Sequence, residues 1–355
     1  MKRYIYFLAV FLLFSVACDD NHFHHSHPSL PLETPTYSGD TMNFYYGNLH
    51  SHTQYSDGQG TPDQALGWAK TQFDFYAITD HAEQLTSTEW ITTGNAVKAH
   101  TNDGNFVAIR GFEWTHPTFG HINVLNTSSF TGIIDTYNPD DFYDWIYQNN
   151  GLAHFNHPGR EVGKFSDFRY KHILFDNFYG IETGNKSDNN ASNVYAQFYT
   201  PALSRGWHLA PLQSQDNHYL EANNARTVII TQSLTRANII DAIRKRRLYS
   251  SDDTNIKLTF KYNNSWMGSI IHVSGGPVTI YVSVIDDISD PVNKIELIDK
   301  SRDVIEALHV TNWTGFVEWT PVVNISGYDY YYVKVYENNG NEIVYSSPLW
   351  FYIDN

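Results

Sequence analysis

The sequence predicts an α/β domain on a mostly parallel sheet closed into a barrel, followed by a small antiparallel β-sandwich. Two observations predict it. From residue 43 to about 250, short apolar runs alternate with amphipathic helical stretches, the pattern of successive βα units. After about residue 255 the helical signals stop, and period-two or continuous apolar strands follow one another between polar turns. A third observation concerns chemistry: histidines and carboxylates recur where the predicted barrel strands end, the place where barrel sites are built.

The elements follow in order. "NFYYGNL" reads as the first strand. "TPDQALGWAK" is a helix with Thr61 as N-cap, Pro62 in its first turn, and Ala65, Leu66, Trp68 and Ala69 as its apolar stripe. "FDFYAIT" is a strand. "TSTEWITTGNAVKAH" opens with Thr86 and Glu89 in capping-box spacing. The strands "NFVAIRGF" and "HINVLN" come next, then a helix, "NPDDFYDWIYQNNG", between Pro139 and Gly151. "LAHFN" and "YGIET" are strands, "NASNVYAQFYTPALSRG" a helix ending at Gly206, and "HLAPLQSQ" and "RTVIITQ" strands. "TRANIIDAIRKRRL" is the last helix, with the basic run 244–247 read as a solvated group at its C-terminus, where the dipole favours cations. "VTIYVSVID", "KIELID", "GFVEWTP", "YDYYYVKVYE" and "EIVYSSPLWFYI" are the sandwich strands, and "ENNGNE" a hairpin turn. The expected organisation is a signal at 1–18, a flexible tether at 19–42, the barrel at 43–253 and the sandwich at 254–355.

The start, "MKRYIYFLAVFLLFSVACDD", has a basic n-region in Lys2 and Arg3 and an apolar h-region over 4–16, too short for a comfortable membrane span. With Ala17 before Cys18 it resembles a bacterial lipoprotein signal, in which the cysteine is lipidated and becomes the new N-terminus. Ser15 departs from the aliphatic residue usual there. The expectation is an extracytoplasmic chain held to the cell envelope by lipid on Cys18. Asp19 and Asp20 resemble the acidic export signals of some surface lipoproteins. The segment after them carries His22, His24, His25 and His27 among several prolines and reads as a solvated linker.

The chain has 355 residues, a formal net charge of −15, 17 histidines and a single cysteine, Cys18. The acidic balance argues against a nucleic-acid binder. One cysteine excludes an intrachain disulfide and a zinc–thiolate site, so metal chemistry must use nitrogen and oxygen ligands.

Such ligands recur along the barrel. "GNLHSHTQYSDG" places His50 and His52 two apart, on one face of an extended chain, with Asp57 following. "ITDH" gives Asp80 and His81, "GFEW" gives Glu113, "GHINVL" gives His121, "FNHPGR" gives His157, and "SQDNH" gives Asp216 and His218, again two apart. Satisfied core histidines would not repeat in this way. Imidazoles with carboxylates suit Zn, Mn or Fe, and the candidates are too many for one tetrahedral ion. They fit two or three divalent ions with a bridging carboxylate. Arg160 reads as a bidentate phosphate clamp or as a surface ion pair, and Asp80 as an orienting carboxylate or a structural hydrogen-bond acceptor. His154 and His116 read as substrate contacts or packing residues, His172 and His208 as structural or surface residues, and Lys186 as a contact for an anionic substrate.

"NLHSHTQYSDG", "ITDHAE", "GFEW", "GHINVL", "NHPGR" and "SQDNH", in that order, resemble the motifs of the PHP family, the polymerase and histidinol phosphatase domain, over roughly residues 44–250. The resemblance implies a distorted (β/α)7 barrel with a trinuclear site and ligand roles for His50, His52, Asp57, His81, Glu113, His121, His157, Asp216 and His218. By the family pattern His50, His52 and Asp216 share one ion with Glu113. Glu113 bridges to a second that Asp57 and His81 complete, and His121, His157 and His218 hold a third. It further implies hydrolysis of a small phosphate ester by a metal-bridging hydroxide, to which Arg160 and Asp80 are added from the reading of the residues above. The export signal and the sandwich depart from the cytoplasmic members and look more like secreted members grouped with carbaryl-type hydrolases, so a carbamate, ester or amide substrate is the alternative. The reading from another class is a non-catalytic surface lipoprotein that binds glycan through its sandwich.

Overall fold

The computed structural model describes residues 41–185, 194–221 and 223–354. The expectations placed on Cys18, on the rest of 1–40 and on Lys186 lie outside the described residues. The chain is a mixed α/β protein with a large central sheet and a further β-rich region. Its first part runs β1 (Asn43–Asn48), α1 (Pro62–Ala69), β2 (Phe75–Ile78), α2 (Ser87–His100), β3 (Val107–His116), β4 (Gly120–Leu125), α3 (Pro139–Gln148), β5 (Leu152–Phe155), α4 (Lys164–Phe168), β6 (Phe178–Asn185), α5 (Tyr199–Ser204), β7 (Ala210–Ser214), β8 (Arg226–Thr231), α6 (Arg236–Arg244) and β9 (Leu248–Ser251).

Local signals set the helix starts. Thr61 and Gln64 form one capping box and Thr86 and Glu89 another, each satisfying two backbone N–H groups that a helix start leaves without partners. Asn138 caps α3, with Pro139 in its first turn. The apolar face of α3 then closes on β3, where Phe142 stacks on Trp114 at 4.2 Å between ring centroids. That contact decides the direction of Glu113: neighbours on a strand face opposite ways, so burying Trp114 under α3 turns Glu113 to the other side of the sheet.

The strands order β9-β8-β1-β2-β3-β4-β5-β6-β7, and an isolated parallel bridge between Ser51 and Asn217 joins the end of β7 back to the end of β1. The β1–β2, β2–β3, β5–β6 and β6–β7 pairs are parallel. The pairs β3–β4, β4–β5, β1–β8 and β8–β9 are antiparallel, a departure from the mostly parallel sheet expected. The reason for the first is local. β3 runs through a short turn directly into β4, with His116 opposite Gly120, and no helix intervenes to reverse the chain.

The sheet continues past β9. Strand Glu342–Ser346 pairs antiparallel with β9, and beyond it lie Asp329–Glu337, Leu349–Ile353 and Ile270–Val273. A four-stranded sheet that includes Lys257–Tyr262 and Tyr281–Ile285 faces them. One apolar core joins Val228 and Ile230 of β8 and Tyr249 of β9 to Val282, Val284, Val333 and Phe351.

The basic run after α6 is not the solvated group expected. Arg246 is buried, and its guanidinium donates to the carbonyls of His208 and Phe175 at 2.5 Å each. His208 is buried against Phe175 and Trp350, with Nε2 3.2 Å from the Tyr352 hydroxyl and Nδ1 without a partner. Burial, with the charge of Arg246, lowers its pKa to about 3. The unfolded chain, with an ordinary imidazole near 6.5, therefore binds more protons between those values, and stability rises with pH across that window. Acidifying from pH 7 to pH 5 is expected to remove about 2 kcal/mol through this residue. Urea unfolding of the parent and of His208→Gln at both pH values checks it, the variant losing less.

Candidate metal centre

The ligand types gather at one end of the ring because the parallel strands deliver them toward or just beyond their C-terminal ends, and the antiparallel β4 delivers His121 at its start. His50 and His52 follow β1. Backbone bonds between His52 and Asn217, and between Asn217 and His50, tie them to the end of β7 that carries Asp216. His81 follows β2 and bridges to Glu113 in β3. His121 stands at the start of β4, paired with Thr115. His157 follows β5 and Asp216 follows β7. Both of these hold positive φ, 26° and 46°, a conformation that costs energy for a residue with a Cβ and clusters at functional sites.

Glu113, fully buried, is the hub. Its Oε1 lies 3.3 Å from His50 Nε2, from His121 Nδ1 and from His157 Nε2, and its Oε2 lies 2.8 Å from His81 Nδ1 and 3.6 Å from His52 Nε2. Asn156 Nδ2 donates to Oε1 at 2.6 Å. Asp216 Oδ1 lies 3.2 Å from His50 Nε2 and 3.1 Å from His52 Nε2. Asp57 lies 3.2 Å from His218 Nε2 and 3.5 Å from His81 Nε2. The predicted ligands are thus all brought together.

Their grouping differs in one respect from the family pattern. His218 stands with His52, Asp57 and His81, while His121 and His157 meet Glu161. Glu161 Oε1 is 3.5 Å from His121 Nε2, and its Oε2 is 3.8 Å from His157 Nδ1.

Sequence reasoning missed two participants, Glu161 and Glu182, and read a third, His154, as a substrate contact or packing residue. Glu161 follows His157 by four residues in "HPGRE", a spacing that offered a signal. Glu182 is a carboxylate inside the wholly buried strand β6, itself a sign of a partner. It accepts the amide of His157 at 2.6 Å, lies 2.8 Å from His50 Nδ1, and receives Asn185 Nδ2 at 3.1 Å. His154, fully buried, joins His50 and Glu182, with Nδ1 2.5 Å from the Tyr179 hydroxyl.

Asp80 accepts Glu113 N at 3.0 Å through its backbone carbonyl, while its carboxylate turns to the loop after β1. It accepts Thr53 N at 2.6 Å, Ser56 Oγ at 2.7 Å and Thr53 Oγ1 at 2.8 Å, and so shapes the loop between His52 and Asp57. Gly58 closes that loop, and a Cβ there would stand 2.4 Å from the His52 carbonyl oxygen. Gly58→Ala is therefore expected to displace Asp57 and weaken metal binding roughly tenfold or more, read by metal titration, with the fold retained by circular dichroism. His116 takes a structural role, its Nδ1 accepting Phe119 N at 2.9 Å. Arg160 is exposed at the rim, with Nη2 3.5 Å from Asp216 Oδ2.

The electrostatics follow from carboxylates held against imidazoles. Burial alone would lower the His50 pKa, but Asp216, Glu113 and Glu182 raise it well above the usual range. Burial likewise opposes, and Asp57 and Glu113 overcome it, to lift His81 to about 10. Burial would raise Glu113, yet His50 and His121 hold it well below an ordinary carboxylate. The carboxylates attract positive charge, which a divalent ion supplies in place of protons. The residues fit such ions on a further observation: His121 Nδ1, His157 Nδ1, His154 Nε2 and Glu161 Oε2 are buried without hydrogen-bond partners among the described residues. Nitrogen and oxygen donors in this mixture suit Zn, Mn or Fe. The deep end, around Glu113 and His50, is closed, whereas the Asp57 side chain is 48% exposed, so the centre opens to solvent on that side.

No family model matches the chain, and no curated protein matches it. Among solved structures it is similar to a two-domain protein from Bacteroides vulgatus containing a predicted PHP-like metal-dependent phosphoesterase, at 13% identity over 87% of this chain and 95% of that one, with a TM-score of 0.49. A likeness to an endo-β-1,4-mannanase from Thermotoga petrophila covers 79% of this chain and 65% of that one at 9% identity, with a TM-score of 0.19. Neither score reaches the level at which a shared fold follows, and what the chain shows by itself is a buried cluster of His, Asp and Glu that suits a metal site.

Proposed function

We propose that this chain is a metal-dependent hydrolase of the PHP type, acting on a small phosphate ester outside the cytoplasm and anchored through lipid on Cys18. In this reading β1–β7 form the distorted seven-stranded barrel, residues 43–253 the catalytic unit and 254–355 an appended β-sandwich. One observation carries it: imidazoles from four different strand ends converge on the single buried carboxylate of Glu113, with Asp57 and Asp216 flanking.

His50, His52, Asp216 and Glu113 would hold one divalent ion, Asp57, His81 and His218 a second, and His121, His157 and Glu161 a third. Bound there, the ions supply an activated water and neutralise charge on a phosphoryl group. The chain's own residues do the rest. The exposed Asp57 side gives substrate its way in. Arg160, at the rim, holds an anionic oxygen in a fixed orientation. Glu182 and Asp80 keep His50 and the Asp57 loop in place, so little rearrangement is needed when substrate arrives. The appended signal and sandwich favour a secreted substrate over a cytoplasmic one.

The test is hydrolysis of a generic phosphomonoester with Mn, Zn or Fe, beside the Asp216→Ala/His218→Ala variant. Metal-dependent turnover lost in the variant supports the reading. No turnover while metals remain bound overturns the phosphate ester and directs the search to carbamates, esters and amides.

A further inference from the structure

A second group of carboxylates lies away from the histidine cluster. Glu337, the last residue of strand Asp329–Glu337, is fully buried, and neither of its carboxylate oxygens has a hydrogen-bond partner among the described residues. Asp286, directly after strand Tyr281–Ile285, is 8% exposed, and both of its oxygens are likewise without a donor. The two side chains interact with each other, and two ionised carboxylates in such an approach need a cation or a shared proton between them. Asp253, just past β9, adds its charge to both, and Asp290 and Glu342 add theirs to one each. Asn338 donates to Asp290 and to Glu342, holding those two beside the end of the same strand.

Buried carboxylates without donors are costly, and a native structure that keeps them calls for a ligand or a proton. We propose that Asp286 and Glu337, with Asp253, form an oxygen-only site for a hard divalent cation of the calcium type. The donors named are all carboxylates, with no imidazole or thiolate among them, which is the choice of calcium over zinc or iron.

The location gives the cation a role. Asp253 belongs to the stretch leaving β9, Asp286 to the facing four-stranded sheet, and Glu337 to the continuation of the central sheet. One ion would therefore tie three chain segments together at the seam between the ring and the β-rich region. Asp253 is already fixed for this, its Oδ1 accepting Asn255 N and Ile256 N at 2.6 Å each. Tyr46 of β1 donates its hydroxyl to the Asn255 carbonyl at 2.8 Å, so the same corner reaches the first strand.

Calcium uptake by equilibrium dialysis, and the calcium-induced shift in Tm, test the site in the full chain. The parent and Asp216→Ala/His218→Ala are each expected to bind about one equivalent and to melt higher with calcium. Asp286→Asn/Glu337→Gln should take up none and show no shift. That variant relieves repulsion at nearly constant volume, so its metal-free Tm should equal or exceed the parent's. Asp286→Asn alone repeats the test if the double variant misfolds. No calcium uptake by the parent, or equal uptake by the Asp286→Asn/Glu337→Gln chain, overturns the proposal; with a raised Tm in the variant, the first result would assign the pair a shared proton instead.

Discussion

Glu113→Gln is expected to lower metal-dependent hydrolysis by roughly three orders of magnitude and to reduce the number of tightly bound ions. The substitution keeps the shape of the side chain and removes its charge. His50, His81, His121 and His157 all stand within 3.3 Å of one carboxylate oxygen or the other. A neutral amide would leave those imidazoles without their shared anion, and its NH2 would turn a donor toward nitrogens that are themselves needed as ligands. Metal content by elemental analysis, read beside kcat/KM, separates loss of ions from loss of chemistry. Unchanged turnover and metal content would remove Glu113 from the centre of the site.

The second large effect is expected at Glu182. This carboxylate touches no solvent and lies behind His50, on the nitrogen that faces away from Glu113 and Asp216. It also accepts the amide of His157, fixing the strained turn at φ 26°. Its pKa is lowered to about 2, burial being outweighed by His50, so it stays charged in the folded chain. Glu182→Gln is expected to weaken metal binding by roughly 10–100-fold, because His50 loses both its orientation and its added basicity. Competition with a chelator measures the affinity directly. Glu182→Leu should go further and unfold part of the chain by about 3–5 kcal/mol, since it leaves the His157 amide and the His50 nitrogen buried without an acceptor.

Much of this centre was legible in the sequence, for a physical reason. Most of the ligand types sit at or near the ends of strands, and the motifs from "NLHSH" to "SQDNH" announce themselves by breaking apolar runs with imidazoles and carboxylates. The cap signals at Thr61 and Thr86, and Pro139 as a helix start, were equally local and agree with the structure. What was not legible depended on three-dimensional pairing. The antiparallel β3–β4 step is set by a short turn, and β9, a strand of four residues, was hidden behind a basic run whose Arg246 is buried by carbonyls far along the chain. Glu161 and Glu182 gave only weak signals, a four-residue spacing from His157 and a carboxylate within an apolar strand, and their contacts reveal what they do. The association of His218 with Asp57 depends on how the loop after β7 folds over the loop after β1, joined by Gln59 N and the His218 carbonyl.

The most direct test of the account is anomalous diffraction from crystals of the full chain grown with manganese, zinc or iron. The account predicts two or three peaks within the His50–His218 cluster, with Glu113 between them and Asp57 and His218 on the same ion. A single peak remote from Glu113, or none in a chain that still hydrolyses its substrate, would contradict it.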